Sequence, residues 1–192
     1  RTGAVGMLNL LDGTTTELGS IDPPTAVTSD GRYLFADTDA GVDIVDSGVW
    51  TWDHVDHFHY YRTSPSMLGT VAGEGPAIVT TSGNATTGGT GVFFPESGDA
   101  VLLSNEALSE GRVEEVFRLE AEPHEGLAAH LGSGALVTTV DEAGTVSGVE
   151  FYGADGSPVD DATAPCADAQ GAVTTRIGVV VGCADGALLA TY

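Results

Sequence analysis

Apolar residues along this chain of 192 residues fall in short runs, each closed by a polar turn that contains glycine. Residues 25–29, 32–36 and 41–46 show the pattern, with Asp30 and Gly31 between the first two runs. Runs rich in Val, Leu, Ile and Phe and bounded by Asp-Gly or Ser-Gly pairs are typical of β-strands joined by hairpins, because glycine supplies the positive φ of tight turns. The pattern predicts an all-β protein.

The same succession of strands and turns returns three more times. Aligning the unit starts at Ala26, Ala77, Leu127 and Ala172 gives spacings of 51, 50 and 45 residues. Repeats of about 40–50 residues with about four short strands each are the signature of β-propeller blades. We therefore predict a single β-propeller or partial propeller, with a two-sheet β-sandwich as the second choice. The approximate blade units are residues 25–60, 76–118, 126–160 and 171–192.

Charge excludes several classes of partner. The chain has 28 acidic residues against six basic ones, all Arg, and a formal net charge of −22. Such a surface repels phosphate backbones and anionic membranes, so we expect no nucleic-acid binding. No run approaches the ~18–20 apolar residues of a membrane span, so no membrane insertion is expected. No secretory signal is visible, and the chain is expected to be a mature or trimmed piece.

Histidine is concentrated in the aromatic segment 50–62, between the first and second units. Three of the five histidines, His54, His57 and His59, fall within six consecutive residues. His57 and His59 are two apart, so they point to the same side of an extended strand, whereas His54 needs a turn near residues 55 and 56 to join them. The alternative is an aromatic cluster that only packs at the end of a strand.

Two aspartates, Asp53 and Asp56, are interleaved with these histidines. Zinc prefers imidazole and carboxylate ligands, usually ~4 of them at about 2.0–2.2 Å. The aspartates are therefore candidate ligands or acceptors that orient the imidazoles. The density of both residue types favours a metal site over simple packing.

Other candidate ligands lie in later loops. In a propeller, the loops that enter the innermost strands gather at one face, so segment 50–62 is expected to meet the loops entering the third and fourth units. His124 is the leading fourth ligand, and Glu125 and Asp168 are alternatives that offer oxygen. We therefore expect three segments that are distant in sequence to converge at one mouth.

The two cysteines, Cys166 and Cys183, are too few for a zinc ribbon and lack its spacing. They are expected at the two ends of a hairpin or an adjacent strand pair. A disulfide is favoured, which would contribute about 3 kcal/mol by the chain-entropy model and would indicate an oxidising compartment. Two buried free thiols are the alternative.

Several motifs resemble one family. Residues 54–61, residues 123–128 and the tail with Cys166 and residues 182–186 are similar to the extracytoplasmic zinc metallochaperones of the AztD type, in their actinobacterial form, which accompany zinc ABC importers. Residues 6–13 and 30–34 fit as well, so the match spans most of the chain, although only the first motif is highly distinctive. The resemblance implies a β-propeller, Zn²⁺ held near its axis by histidines, and delivery to a substrate-binding protein.

The resemblance also implies a ligand set. His54, His57, His59 and His124 stand where the family's motifs have histidine, and Asp56 matches its interleaved aspartate. The family pattern has further histidines where this chain has Glu125 and Gln170, and glutamine is a poor zinc ligand, so the resemblance implies a weaker or incomplete site. Family members are considerably longer, which implies a fragment or half-propeller that self-association could complete.

We favour an extracytoplasmic, non-enzymatic metallochaperone that passes zinc to the substrate-binding protein of an ABC importer. One alternative is a β-propeller interaction protein with a degenerate metal site, marked by Glu125 and Gln170. The other is a metal-dependent hydrolase or lyase, for which Glu125 beside His124 is the one candidate acid or base. The chain has no Gly-x-Ser-x-Gly nucleophile motif, which makes the enzyme the least favoured of the three.

Overall fold

The computed structural model describes residues 3–54, 56–82, 89–175 and 177–191, and its content is 58% strand and 3% helix. In chain order the strands are β1 (Ala4–Leu8), β2 (Thr15–Ser20), β3 (Ala26–Ser29), β4 (Tyr33–Thr38), β5 (Gly41–Asp46), β6 (Val49–Asp53), β7 (Phe58–Arg62), β8 (Ser66–Ala72), β9 (Ile78–Thr80), β10 (Thr90–Phe94), β11 (Asp99–Leu103), β12 (Glu115–Glu120), β13 (Ala128–Leu131), β14 (Gly134–Val140), β15 (Val146–Tyr152), β16 (Pro158–Pro165), β17 (Ala172–Thr175), β18 (Gly178–Cys183) and β19 (Gly186–Ala190). The short helix α1 (Asn105–Ser109) lies between β11 and β12. In the described part of the chain, no helix is long and apolar enough to cross a membrane.

Four antiparallel meanders follow one another, and we call them blades 1 to 4. Blade 1 is β3-β4-β5-β8, blade 2 is β9-β10-β11-β12, blade 3 is β13-β14-β15-β16, and blade 4 is β17-β18-β19. The first strand of blade 3 lies beside the first strands of blades 2 and 4. Thr81, which directly follows β9 of blade 2, pairs in parallel with Val173 of β17 in blade 4. The first strands are therefore the inner ones, as the repeat pattern predicts for a propeller.

Apolar side chains fill the spaces between successive blades. Blades 1 and 2 share a cluster that includes Phe35, Ile44 and Phe94, each at most 1% exposed. Separate clusters join blade 2 to blade 3 and blade 3 to blade 4. Burying one side chain of this size contributes about 1.5–3 kcal/mol, so the stability of each blade depends on its neighbours.

Blade 1 is interrupted in a way that the sequence did not reveal. A two-stranded sheet, β6-β7, is inserted between β5 and β8, so blade 1 extends to Ala72 and segment 50–62 does not lead into blade 2. The polar outer strand β16 also runs to Pro165, beyond the predicted unit. The insertion matters most, because it carries three of the five histidines.

The predicted disulfide is confirmed, but it joins different elements from those expected. Cys166 directly follows β16 of blade 3, and Cys183 ends β18 of blade 4, with 5.1 Å between their Cα atoms. The bond therefore fastens two neighbouring blades and does not close a single hairpin. Disulfides persist in oxidising compartments, so this one is consistent with an extracytoplasmic location.

Candidate metal centre

The β6-β7 hairpin places six aromatic side chains on one face. Trp50 pairs with Tyr61 and Trp52 pairs with His59, and at the tip His54 N–H donates to the carbonyl oxygen of His57 at 2.9 Å. Paired residues share a face, and side chains alternate along each strand. We call this set the aromatic face; its members are Trp50, Trp52, His54, His57, His59 and Tyr61.

The chain reverses at the tip, which brings His54 to the same face as His57 and His59. The expected turn includes residue 55, which lies outside the described residues, but the hydrogen bond between His54 and His57 closes the reversal. The centroid of the His54 ring is 5.3 Å from that of the His57 ring and 4.8 Å from that of the His59 ring. The centroids of the His57 and His59 rings are 4.9 Å apart. All three side chains are exposed to solvent.

The three rings are close to, but not in, the geometry of a metal site. The Nε2 atoms of His57 and His59 are 2.9 Å apart, a distance at which one nitrogen donates a hydrogen to the other. Two nitrogens that each lie about 2.0–2.1 Å from a tetrahedral zinc ion would be about 3.3 Å apart. Accordingly, across residues 3–54, 56–82, 89–175 and 177–191 no group of three His, Cys, Asp or Glu side chains has an arrangement that could hold a metal ion.

Asp56 fixes the tautomer of His57. Its Oδ1 is 2.7 Å from His57 Nδ1, so this nitrogen carries the hydrogen and Nε2 keeps its lone pair. A carboxylate behind an imidazole is the usual outer partner of a metal-ligating histidine. Asp53 is placed differently, since it pairs with Phe58 on the opposite face of the hairpin.

The base of the hairpin is anchored to blade 1. The ring of Trp50 stacks on Tyr61 at 5.2 Å, and the guanidinium carbon of Arg32 lies 4.3 Å from the Trp50 ring centroid. Arg32 Nη2 donates to Asp46 Oδ2 at 2.7 Å, and the two side chains are 14% and 6% exposed. A cation over an indole ring contributes about 0.5–2 kcal/mol, so this contact helps to orient the aromatic face.

Sequence reasoning missed this anchor. Arg32 belongs to the turn before β4, and Trp50 lies 18 positions further along, at the start of the insertion. The Asp-Gly-Arg-Tyr motif was visible, but only the pairing of β4 with β5 brings Arg32 to Asp46 and to the hairpin.

His124 lies elsewhere and is buried, with 8% of its surface exposed. Its Nδ1–H donates to the carbonyl oxygen of Glu122 at 2.5 Å, and its Nε2 accepts from the Thr138 hydroxyl at 2.7 Å. The same hydroxyl accepts from Leu127 N–H at 2.9 Å, and it also lies 3.3 Å from the Leu127 carbonyl oxygen, a longer contact than the one to His124. A Cβ atom on Gly126 would lie 2.3 Å from Nε2, so the close approach requires glycine there. Both ring nitrogens of His124 are thus engaged in hydrogen bonds in this structure.

Strand directions separate His124 from the hairpin. The hairpin leaves blade 1 after the last residue of β5, at the end of the blade where β3 turns into β4. His124 precedes β13, at the opposite end, where chains enter the inner strands. The expected convergence of the three segments at one mouth is therefore wrong.

Glu125 and Asp168 are both exposed and lie in the loops that lead into blades 3 and 4. The Asp168 carboxylate accepts a hydrogen bond from Gln170 Nε2 at 3.3 Å. The backbone φ of Asp168 is 52°. Their role as metal ligands stays a prediction, as does that of His124, Asp53 and Asp56.

Comparison with known proteins gives a fold but no family by sequence. No protein-family model matches the chain, and no curated protein matches it. The solved structure of apo AztD from Citrobacter koseri aligns with a TM-score of 0.76 and 20% identity, covering 100% of this chain and 51% of that one. The chain has the β-propeller fold of AztD. A second structure, of Citrobacter koseri AztD, aligns with a TM-score of 0.67 and 19% identity over 100% of this chain and 55% of that one.

The chain thus spans about half the length of these AztD structures. The likeness confirms the predicted all-β propeller and agrees with the AztD-type resemblance of the sequence motifs.

Proposed function

We propose that the chain binds Zn²⁺ outside the cytoplasm on the aromatic face of its inserted hairpin and passes the ion to the substrate-binding protein of a zinc ABC importer. The observation that supports this most directly is the convergence of His54, His57 and His59, three imidazoles with ring centroids 4.8–5.3 Å apart at an exposed tip. The AztD fold and the disulfide support the zinc association and the compartment.

Binding requires a small rearrangement. The hydrogen between His57 Nε2 and His59 Nε2 must leave that position, and the two nitrogens must separate from 2.9 Å to about 3.3 Å. His57 is already in the required tautomer because of Asp56, so His59 is the ring that has to move its hydrogen to Nδ1. With His54 as the third ligand, the fourth position is open to water or to a ligand from a receiving protein.

An exposed hairpin suits a carrier. Transfer of an ion needs ligands that a second protein can reach, and the His57 and Asp56 side chains are 56% and 82% exposed. The role proposed here is carriage without catalysis, which requires neither a general base nor a closed substrate cleft. Protons compete with zinc for imidazole, which ordinarily titrates near pH 6.5, so affinity should fall below that pH.

The decisive experiment is a zinc titration of chelator-treated protein against a chromophoric chelator. We expect one tightly bound ion per chain, lost in the His57→Ala/His59→Ala double variant. Tyr60→Ala is the matched control, because Tyr60 is 79% exposed on the other face of the same hairpin and should leave binding unchanged. No competition by a protein with an intact circular dichroism spectrum would refute zinc binding.

Transfer is tested separately. Zinc-loaded protein is mixed with an apo substrate-binding protein of a zinc ABC importer, and the metal content of each is measured after separation. We expect the ion to move faster than it dissociates into a chelator of matched affinity. Equal rates would show that the ion is only released, which would contradict the carrier function while leaving zinc binding intact.

A second candidate is an interaction propeller with a degenerate site. It is favoured by the absence, over the described ranges, of a group of side chains arranged to hold a metal, and by Gln170 and Glu125 in the loops into blades 4 and 3. It predicts no zinc competition, together with capture of a protein partner that the His57→Ala/His59→Ala variant still binds.

A further inference from the structure

Two of the three imidazoles at the hairpin tip lie against a second aromatic ring. The Trp52 ring stacks on His54, with centroids 5.7 Å apart and planes 23° apart. The Tyr61 ring stacks on His59, with centroids 6.2 Å apart and planes 18° apart. The orientation of these imidazoles therefore depends on neighbouring side chains as well as on the backbone of the hairpin.

The stack behind His59 continues into blade 1. The planes of Trp50 and Tyr61 are 13° apart, and the guanidinium carbon of Arg32 lies over the other end of the stack, 4.3 Å from the Trp50 centroid. Arg32 Nε and Nη2 both donate to the Asp46 carboxylate, at 3.1 Å and 2.7 Å. We call the series Arg32, Trp50, Tyr61 and His59 the ring stack.

The blade end of the ring stack is firmly held. Asp46 is 4% exposed, and its Oδ1 also accepts from Gly48 N–H at 2.8 Å. The carbonyl oxygen of Arg32 accepts from Ser47 N–H at 3.0 Å. One carboxylate thus fixes both the guanidinium of Arg32 and the backbone at the point where the hairpin leaves the blade.

The tip end of the ring stack is exposed, so its side chains need support. The His59 side chain faces solvent, and exposed side chains change rotamer within nanoseconds. A two-stranded hairpin is marginally stable by itself, whereas metal ligands have to be held within about 0.5 Å. Rotation of an imidazole about χ2 is broad unless a neighbour restricts it. The flat ring of Tyr61 against His59 supplies that restriction.

We propose that Arg32 is a positioning residue of the metal centre, which acts on His59 through the ring stack. The inference rests on the proposed zinc binding and adds a residue that never touches the ion. His59 matters most among the three ligands, because its ring has to move its hydrogen and separate from His57. A ring whose plane is already fixed loses less conformational entropy when it binds.

Arginine suits this position by its shape as well as by its charge. A guanidinium is planar, so it can stack on the Trp50 ring while it donates sideways to Asp46. Lysine would keep a charge beside Asp46, but an ammonium cannot lie flat on an indole. Arg32→Lys therefore separates stacking from charge, whereas an apolar residue would leave the buried carboxylate unpaired.

The first test uses metal-free protein in the presence of a chelator. The imidazole proton signals of His59 are recorded by NMR and assigned with the His59→Gln variant. Stacking on Tyr61 displaces these signals from the positions of a solvated imidazole. In Arg32→Lys we expect them to move toward those positions, while the signals of His130, in blade 3, stay unchanged and show that the blades are intact.

The second test is the zinc competition assay. Arg32→Lys and Tyr61→Leu should each weaken zinc binding about 3–30-fold. The double variant should be no weaker than the weaker single variant, because both changes interrupt the same stack. Tyr60→Leu is the matched control, since Tyr60 lies on the other face of the hairpin and is 79% exposed. Its zinc affinity should stay within about threefold of the wild type.

A second variant covers a failure of folding. If Arg32→Lys does not fold by circular dichroism, Trp50→Leu replaces it in both tests. Trp50→Leu interrupts the ring stack at the next ring and leaves the ion pair of Arg32 with Asp46 in place.

Two results would overturn the positioning role and leave zinc binding intact. One is a set of His59 signals that do not move in Arg32→Lys. The other is a double variant whose loss of affinity is the product of the two single losses, which would mean that Arg32 and Tyr61 act separately. A wild-type chain that does not compete for zinc would instead refute the proposed function, and the inference with it.

Discussion

The histidines of the inserted hairpin and those of blade 3 differ in every respect that matters for metal binding. The hairpin rings contact one another at an exposed tip, and one of them is oriented by a carboxylate. The two blade 3 rings are separated and mostly buried, and they bond to backbone carbonyls and a hydroxyl. Surroundings decide whether an imidazole is a ligand or a structural donor.

His130 completes the second group. Its Nε2–H donates to the carbonyl oxygen of Leu103 at 3.0 Å, and its ring packs against Gly89, where a Cβ atom would overlap it. Burial lowers the pKa of His130 below its ordinary value, although the carbonyls of Leu103 and Thr90 favour the charged form. The ring is therefore neutral near pH 7, as a structural donor between blades 2 and 3.

The largest expected effect is on stability, which should depend on the buried histidines and not on those of the hairpin. His124→Ala removes a buried ring together with its hydrogen bonds to the Thr138 hydroxyl and the Glu122 carbonyl, so it should lower the free energy of unfolding by about 2–3 kcal/mol. His54→Ala, at the exposed tip, should change it by less than about 0.5 kcal/mol. Chemical denaturation measures both.

Zinc binding should respond in the opposite way to these two variants. His54→Ala should weaken it, and folded His124→Ala should not, because both ring nitrogens of His124 are already engaged. Loss of zinc affinity in His124→Ala at a temperature where it is folded would break the comparison and restore His124 as a ligand.

A smaller effect concerns the carboxylate behind His57. Asp56→Asn removes the charge that holds the Nδ1–H tautomer, and loss of such an outer partner typically costs about 10–100-fold in metal affinity. Asp53→Asn is the matched control, because Asp53 lies on the other face of the hairpin. The zinc affinity of this variant should differ from that of the wild type by less than about threefold. Equal losses in the two variants would indicate a general effect of negative charge near the tip.

The sequence predicts more of the fold than of the candidate metal site. Apolar runs and Gly-containing turns repeat with the period of a blade, because successive blades bury apolar side chains between them. The outer strand β16 escaped prediction since most of its residues are exposed and polar. The insertion escaped because the spacing of 51 residues between the first two unit starts resembled that of an uninterrupted blade.

The clustering of His54, His57 and His59 was predictable, since all three lie in one hairpin and strand alternation fixes their face. The separation of His124 was not, because it depends on the end of blade 1 from which the hairpin emerges. Nor does the sequence show that the hydroxyl of Thr138, 14 residues after His124, forms a hydrogen bond with the His124 ring.

The smallest expected effect concerns pH. Because the pKa of His130 is lower in the folded protein than in the unfolded chain, the unfolded state binds a proton first as pH falls below about 6.5. Stability from this residue is thus present at pH 7 and is lost progressively in mild acid. His130→Gln keeps a donor for the Leu103 carbonyl but cannot titrate, so its free energy of unfolding should fall less than that of the wild type between pH 7 and about pH 5. The measurement is urea denaturation of the wild type and of His130→Gln at several pH values in the presence of a chelator. An unchanged slope in His130→Gln would show that the pKa of this ring is the same in the folded protein and in the unfolded chain, which would contradict the effect of burial on His130.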